Sequence, residues 1–176
     1  RVEIVTLIDN YVDVLLQDTD IVTRAAHRKG EEIPRDTLVA EHGLSLLVTV
    51  HQGTKTHTIL FDTGYSQIGV PHNVALLGID LQGIKVIVMS HAHMDHTGSL
   101  HKILEGMSSP VTLVVHPAAF YFPRYIERDD GSRQRFPRTL SREDLVSEKV
   151  KIVESKTPVL LADGGIMVTG EVERTT

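Results

Sequence analysis

The sequence predicts an α/β fold built on a mixed sheet, and three observations carry that expectation. Near the start, LVAEHGLSLLVTVH (38–51) and THTILFD (56–62) are strand-like and joined by the turn QGTKT, the pattern of an antiparallel meander. Further on, IKVIVMS (84–90) and VTLVV (111–115) are continuous apolar runs, the composition of strands buried on both faces. Between those runs, HTGSLHKILEG (96–106) has helical character. Strand, helix, strand in that order implies a parallel pair with a right-handed crossover.

The elements follow in chain order. Val2 to Ile8 is the first strand, and the two meander strands come next. Pro71 to Leu77 is a short helix, because Pro suits a first helical turn and Val74, Leu76 and Leu77 are apolar. The run 84–90, the helix and the run 111–115 form the crossover unit. From Phe122 to Arg142 the chain is charged, contains Gly and Pro and lacks an apolar period, so a long loop is expected. Ser141 caps one or two helical turns reaching Ser147, and KIVES, VLLAD and GIMVTG are strand-like pieces separated by Pro158 and Gly164.

A chain of 176 residues with 41% hydrophobic content buries one sizeable core, so residues 1–176 are expected to form a single domain. Eighteen basic against 23 acidic residues give a net charge of -5, which argues against a partner recognised by neutralising phosphates, such as nucleic acid. No apolar run approaches the ~20 residues that span a bilayer, and RVEIVTLIDN lacks the basic start and apolar middle of a signal peptide. A cytoplasmic protein with no membrane partner is the default expectation. There is no cysteine, so any transition-metal ligands must be His and carboxylate.

The densest chemistry is in HAHMDHTG, residues 91–98, with three histidines and an aspartate in six consecutive positions. In an extended segment, residues two apart point the same way, so His91 and His93 can present imidazoles to one ion at the end of the 84–90 strand. Asp95 and His96 follow as the chain turns into the helix and can serve a second ion. A solvated His-rich loop is the alternative, but open α/β sheets place ligands beyond the carboxyl ends of their strands, and the cluster lies there.

His-x-His-x-Asp-His, matched by His91, His93, Asp95 and His96, resembles the signature of the metallo-β-lactamase superfamily. FDTG (61–64) matches the family's preceding motif, an Asp that ends a strand before a small turn. By that resemblance Asp62 supports the metal loop from behind the ligands, as metal ligands require. AEHGLSLLV, LFDTG, HNVALLGID, SHAHMDHTG, VVHPAAF and TGEVER together are similar to the group related to 7,8-dihydropterin-6-yl-methyl-4-(β-D-ribofuranosyl)aminobenzene 5′-phosphate synthase. The resemblance implies a four-layer αββα sandwich, of which this chain supplies the N-terminal half and the start of the second. A third His, a bridging Asp and a last His are implied beyond the strand carrying TGEVER, and no histidine follows His116, so the domain is expected to be C-terminally incomplete.

Glu41 and His42 precede Gly43 inside a strand-like stretch; the resemblance implies that they face the site, and a solvent-facing bulge is the alternative. His116 ends a strand parallel to the one ending at His91, which makes it a candidate for substrate contact. His101, five residues after His96 on the helix, is read as surface. Arg124 and Arg128 lead an arginine-rich stretch, and guanidinium suits phosphate, so they are candidates for gripping a phosphorylated small-molecule substrate. A solvated loop balanced by Glu127, Asp129 and Asp130 is the alternative.

The expected function is a metal-dependent hydrolase using one or two ions, zinc by preference with manganese or iron as alternatives. A bound ion lowers the pKa of water to about 7, supplying hydroxide for attack on an ester or phosphoester, with Asp95 as ligand and proton acceptor. A transferase joining a pterin precursor to an aminobenzene ribotide phosphate is the alternative implied by the closest resemblance, and a non-catalytic metal-binding fragment is another. ILFDTG also matches the Asp-Thr-Gly of an aspartic protease, a reading that leaves the histidines unexplained. Half a sandwich would expose an apolar face, so a homo-oligomer is possible on this reading.

Overall fold

The computed structural model describes residues 1–25, 35–145 and 150–173. The principal sheet has six strands in the order β1-β2-β3-β4-β5-β8. Its antiparallel side is the expected meander: β1 (Val2–Ile8), β2 (Ser45–Gln52) and β3 (Lys55–Phe61). From β3 onward, β4 (Val86–Val88), β5 (Val111–Val115) and β8 (Val150–Glu154) run parallel. The crossovers carry α1 (Gly69–Leu76), then α2 (Met94–Thr97) and α3 (Leu100–Gly106). Four-residue α4 (Arg142–Leu145) precedes β8; Val146 and Ser147 of the expected Ser141–Ser147 turns, and Arg174 of TGEVER, lie outside the described residues.

Period-two alternation along the central strands gives the sheet two apolar faces. Leu60, Ile87 and Leu113, each fully buried, point to one side and pack with Val70 and Val74 of α1 and Leu100 and Ile103 of α3. Their neighbours Ile59, Val88 and Val114 point to the other side and meet Leu161, Ile166 and Val168. Those last residues belong to a hairpin of β9 (Val159–Leu161) and β10 (Ile166–Val168). Helices, sheet and hairpin are three successive layers, which is the first half of an αββα sandwich with the opening strands of the second.

Two expectations need correction. The strand expected from Leu38 begins at Ser45 instead. Residues 41–44 are committed elsewhere: the Glu41 carboxylate accepts from the Tyr65 and Ser66 amides, and the Leu44 amide donates to the Asp95 carbonyl at 3.3 Å. The loop expected over 122–142 contains a second hairpin, β6 (Tyr125–Glu127) with β7 (Arg133–Arg135). Its turn is specified by Asp130, whose carboxylate accepts from the Ser132 amide at 2.8 Å, and by Gly131 at φ 78°. Asp-Gly is a strong hairpin signal, here masked by the surrounding charge.

Parallel register places the site. Phe61 pairs with Val88, Val88 with Val114 and Val115 with Glu154. The next residues along each strand, Asp62, Met89 and Ser90, His116 and Ser155, therefore emerge at one edge of the sheet.

Candidate metal centre

Asp62 is the buried anchor of that edge. It sits in the left-handed region at φ 57° with no exposed surface, a conformation Asp tolerates better than most residues. The twist turns its carboxylate back onto β4's end. Oδ1 accepts from the Ser90 amide at 2.8 Å, and Oδ2 accepts from Ser90 Oγ at 2.6 Å and His96 Nδ1 at 2.7 Å. These contacts join Asp62 to His96 and to the residue that precedes His91. With no exposed surface, Asp62 cannot share a proton with a twin across a dimer, which disfavours the aspartic-protease reading.

The cluster loop is tied to the 62–66 turn by backbone. The Thr63 amide donates to the His96 carbonyl at 2.7 Å, the Gly98 amide to the Gly64 carbonyl at 2.8 Å, and the Ser99 amide to the Thr63 carbonyl at 3.1 Å. Ser99 Oγ also donates to the Ser66 carbonyl. At Gly98 any Cβ would overlap the Tyr65 carbonyl, so the approach of the two loops requires glycine. Gly43, at φ 143°, similarly abuts the Asp95 carbonyl while its amide donates to Asn10 Oδ1 at 2.9 Å.

Within this frame the side chains crowd together. The rings of His91 and His93 have centroids 4.7 Å apart, those of His91 and His96 4.1 Å, and His91 Nε2 lies 3.1 Å from His93 Nδ1. Asp95 Oδ2 is 3.4 Å from His96 Nε2 and 3.3 Å from His42 Nε2. Desolvation, with repulsion from His96 and His93, holds the His91 pKa below the ordinary imidazole value, so this ring favours the neutral form a metal ligand needs.

The donor chemistry fits a divalent cation: imidazoles and a carboxylate at contact distance, with a buried acid against one ring from behind. Among the described residues, however, no group of three or more such side chains converges as a ligand shell. The contacts include His91 with His93 and Asp95 with His96, and either pair alone is short of the three or four ligands that zinc takes from protein.

The remaining predicted site residues divide. His42 stands beside Asp95 with its side chain 74% exposed, placed to meet incoming molecules. Glu41 instead fastens the turn after Asp62. His116 lies at the same sheet edge; its Nδ1 accepts from the Ala118 amide at 3.1 Å, and Nε2 is buried, 3.6 Å from Glu171 Oε2. It borders a cavity of about 320 Å³ between the sheet and the β9–β10 hairpin, whose lining includes Ser90, Phe61, Val114 and Val168. Arg124 is turned inward: its guanidinium donates to the Ala92 carbonyl, between His91 and His93, and to the Ala119 carbonyl at 3.5 Å. Arg128 is exposed and donates to Gln134 Oε1 at 2.6 Å. Half-buried His101 takes no part in the cluster.

Three residues the sequence reading passed over also shape the centre. Ser90 joins Asp62 to the cluster, Asn10 fixes Gly43, and the Phe136 ring stacks on His93 with centroids 6.0 Å apart and planes 17° apart. Ser90 had a signal, being the last residue of the apolar run that leads into the histidine cluster. Asn10 and Phe136 act across loops distant in sequence and had none.

Residues 39–173 match the family described as the metallo-beta-lactamase superfamily. Over 134 residues the chain is 32% identical to the 7,8-dihydropterin-6-methyl-4-(beta-D-ribofuranosyl)-aminobenzene-5'-phosphate synthase of Methanocaldococcus jannaschii, covering 76% of this chain and 45% of that protein. An uncharacterized protein of the same organism is 30% identical over 139 residues, covering 77% of this chain and 48% of that one. The chain thus spans about half the length of these curated relatives. A solved mutant of a HARLDQ-motif metallo-beta-lactamase from Cronobacter sakazakii is 21% identical, with a TM-score of 0.41 over 70% of this chain and 45% of that one. No helix among the described residues is long and apolar enough to cross a membrane. With the family match extending over most of its length, from before β2 to beyond β10, the chain belongs to the metallo-beta-lactamase superfamily.

Proposed function

We propose that this chain carries the reaction centre of a metal-dependent hydrolase acting on an ester or phosphoester, with zinc, or else manganese or iron, as the ion. The observation that supports this reading is the packing of His91, His93, Asp95 and His96 at one sheet edge, backed by a fully buried Asp62. His91 and His93 would hold one ion and Asp95 and His96 a second. A bound ion would supply Lewis acidity and bring the pKa of a water to about 7. The chain's own groups then divide the remaining work. Asp95 Oδ2 accepts a proton, and His42 Nε2, 3.3 Å away and exposed, passes it to solvent. Asp62 keeps the His96 ring oriented. Exposed Arg128 attracts a small phosphorylated substrate toward the site.

The test is to strip the protein with chelator, restore zinc, manganese or ferrous ion singly, and assay aryl phosphate mono- and diesters and carboxylic esters. Turnover lost on stripping and regained with one metal supports the proposal; turnover indifferent to chelator sinks it. A second reading, a transferase, is favoured by the printed name of the 32% identical relative. Product analysis with a dihydropterin precursor and an aminobenzene ribotide phosphate separates condensation from hydrolysis. Stoichiometric metal without turnover in either assay would favour the third reading, a metal-binding fragment, which draws on the pairing of the donors.

A further inference from the structure

We propose that Ser90 is a positioning residue that fixes the tautomer of His91, so that the buried Asp62 carboxylate orients two imidazoles, one directly and one through a hydroxyl. The argument is a count of hydrogens. An ionised carboxylate only accepts, and Asp62, inaccessible to solvent, has the Ser90 amide on Oδ1 and both Ser90 Oγ and His96 Nδ1 on Oδ2. Ser90 Oγ has a single hydrogen. At 2.6 Å from Asp62 Oδ2 that hydrogen is committed to the carboxylate, so toward His91 Nδ1, 2.9 Å away, the hydroxyl oxygen can only accept. His91 Nδ1 must then carry the proton, and in the neutral ring Nε2 is left with its lone pair bare.

That bare Nε2 is the nitrogen that faces His93, at 3.1 Å. His96 is set the same way, with Nδ1–H on Asp62 and Nε2 turned toward Asp95. The two rings therefore offer the same kind of atom to the site because one acid holds both. They differ in the link to that acid: His96 touches it, whereas His91 reaches it through one hydroxyl. The alternative tautomer of His91 would put a lone pair against Ser90 Oγ, 2.9 Å away, with no hydrogen between them, leaving two acceptors face to face.

The tautomer statement concerns the metal-free protein and stands without the proposed function; its consequence for metal affinity rests on that function. Two-bond ¹H–¹⁵N correlation spectra of the chelator-treated full chain, at a pH where the rings are neutral, read the tautomers directly. Wild type is expected to show Nδ1–H for both His91 and His96, whereas a free imidazole side chain favours Nε2–H. In Ser90→Ala, His91 should revert to Nε2–H or a mixture while His96 keeps Nδ1–H, which also reports that Asp62 remains in place. Ser90→Thr should restore the wild-type pattern. Nε2–H at His91 in wild type, or Nδ1–H at His91 undisturbed in Ser90→Ala, overturns the proposal. Zinc titration of the same variants forms the second arm. A loss of affinity in Ser90→Ala of roughly 10- to 100-fold, restored by Thr, is the expected result. If wild type binds no zinc while its tautomers are as stated, the metal reading falls and the positioning of His91 stands.

Discussion

At the scale of single residues, the centre depends on groups that touch no substrate. Gly98 is helical in φ, at -63°, so its requirement for glycine is one of space: a side chain would drive the cluster loop off the Tyr65 carbonyl. Overpacking of this kind costs about 1–3 kcal/mol or more, and for a domain of this size each kcal/mol lowers the Tm by roughly 2–4 °C. Gly98→Ala is therefore expected to melt several degrees below wild type and to bind metal more weakly; an unchanged thermal scan would show that the loops can separate freely. His91→Ala should abolish metal binding at that pair of donors, checked by equilibrium dialysis. Asp95→Asn keeps the shape but removes the charge and the proton acceptor, so turnover should fall by about 10²- to 10⁴-fold with the melting temperature little changed. Normal turnover in Asp95→Asn would leave Asp95 a structural role alone.

At the scale of elements, the β6–β7 hairpin is a buttress as well as an arm. Phe136 stacks on His93, Arg124 donates to Ala92, and Thr139 Oγ1 lies 2.6 Å from Thr97 Oγ1. Three contacts thus tie its base to the cluster loop, while Arg128 projects at its far end. Arg124→Ala and Arg128→Glu should consequently part company. The first leaves a carbonyl of the metal loop without its donor and is expected to cost about 1–3 kcal/mol of stability along with metal affinity. The second should raise KM for a phosphorylated substrate, leave an uncharged analogue alone, and spare stability. Equal kinetic effects on both substrates would make the Arg128 charge mere solvated surface. Much of this architecture was legible in the sequence, since short apolar runs such as IKVIVMS and VTLVV, rich in β-branched residues, read as interior strands and contain β4 and β5. The hairpin was not legible, because five arginines between 122 and 138 hid its Asp-Gly turn. Nor were the roles of Arg124 and Glu41. Charged side chains that suggested ligand contact are in fact satisfied by backbone carbonyls and amides of loops far away in sequence, and a one-dimensional pattern carries no sign of such partners.

At the scale of the whole molecule, the sheet is covered unevenly. The β9–β10 hairpin lies over Ile59, Val88 and Val114, but on the same face, register carries Ile59 to Val48 and Val48 to Ile4, and Ile4 is 61% exposed. Val2, two residues away on the same edge strand, is 59% exposed. An open edge with apolar side chains invites pairing, so the 176-residue chain is expected to self-associate at micromolar concentration. Ile4→Lys should shift it toward monomer in light scattering without lowering its melting temperature; a wild-type chain already monomeric would refute this. A different consequence comes from the compactness of the ligand cluster in sequence. His91, His93, Asp95 and His96 lie within six residues, so an unfolded chain carries all four within reach of one another, whereas Asp62 joins them only once β3 and β4 have paired. Metal would then bind the denatured ensemble as well as the native state, and its stabilisation, at most RT ln(1 + [L]/Kd), would be reduced accordingly. Refolding from denaturant with excess zinc should be slower than refolding in chelator followed by metal, because ions captured early must be released before the loop can close onto its buried acid.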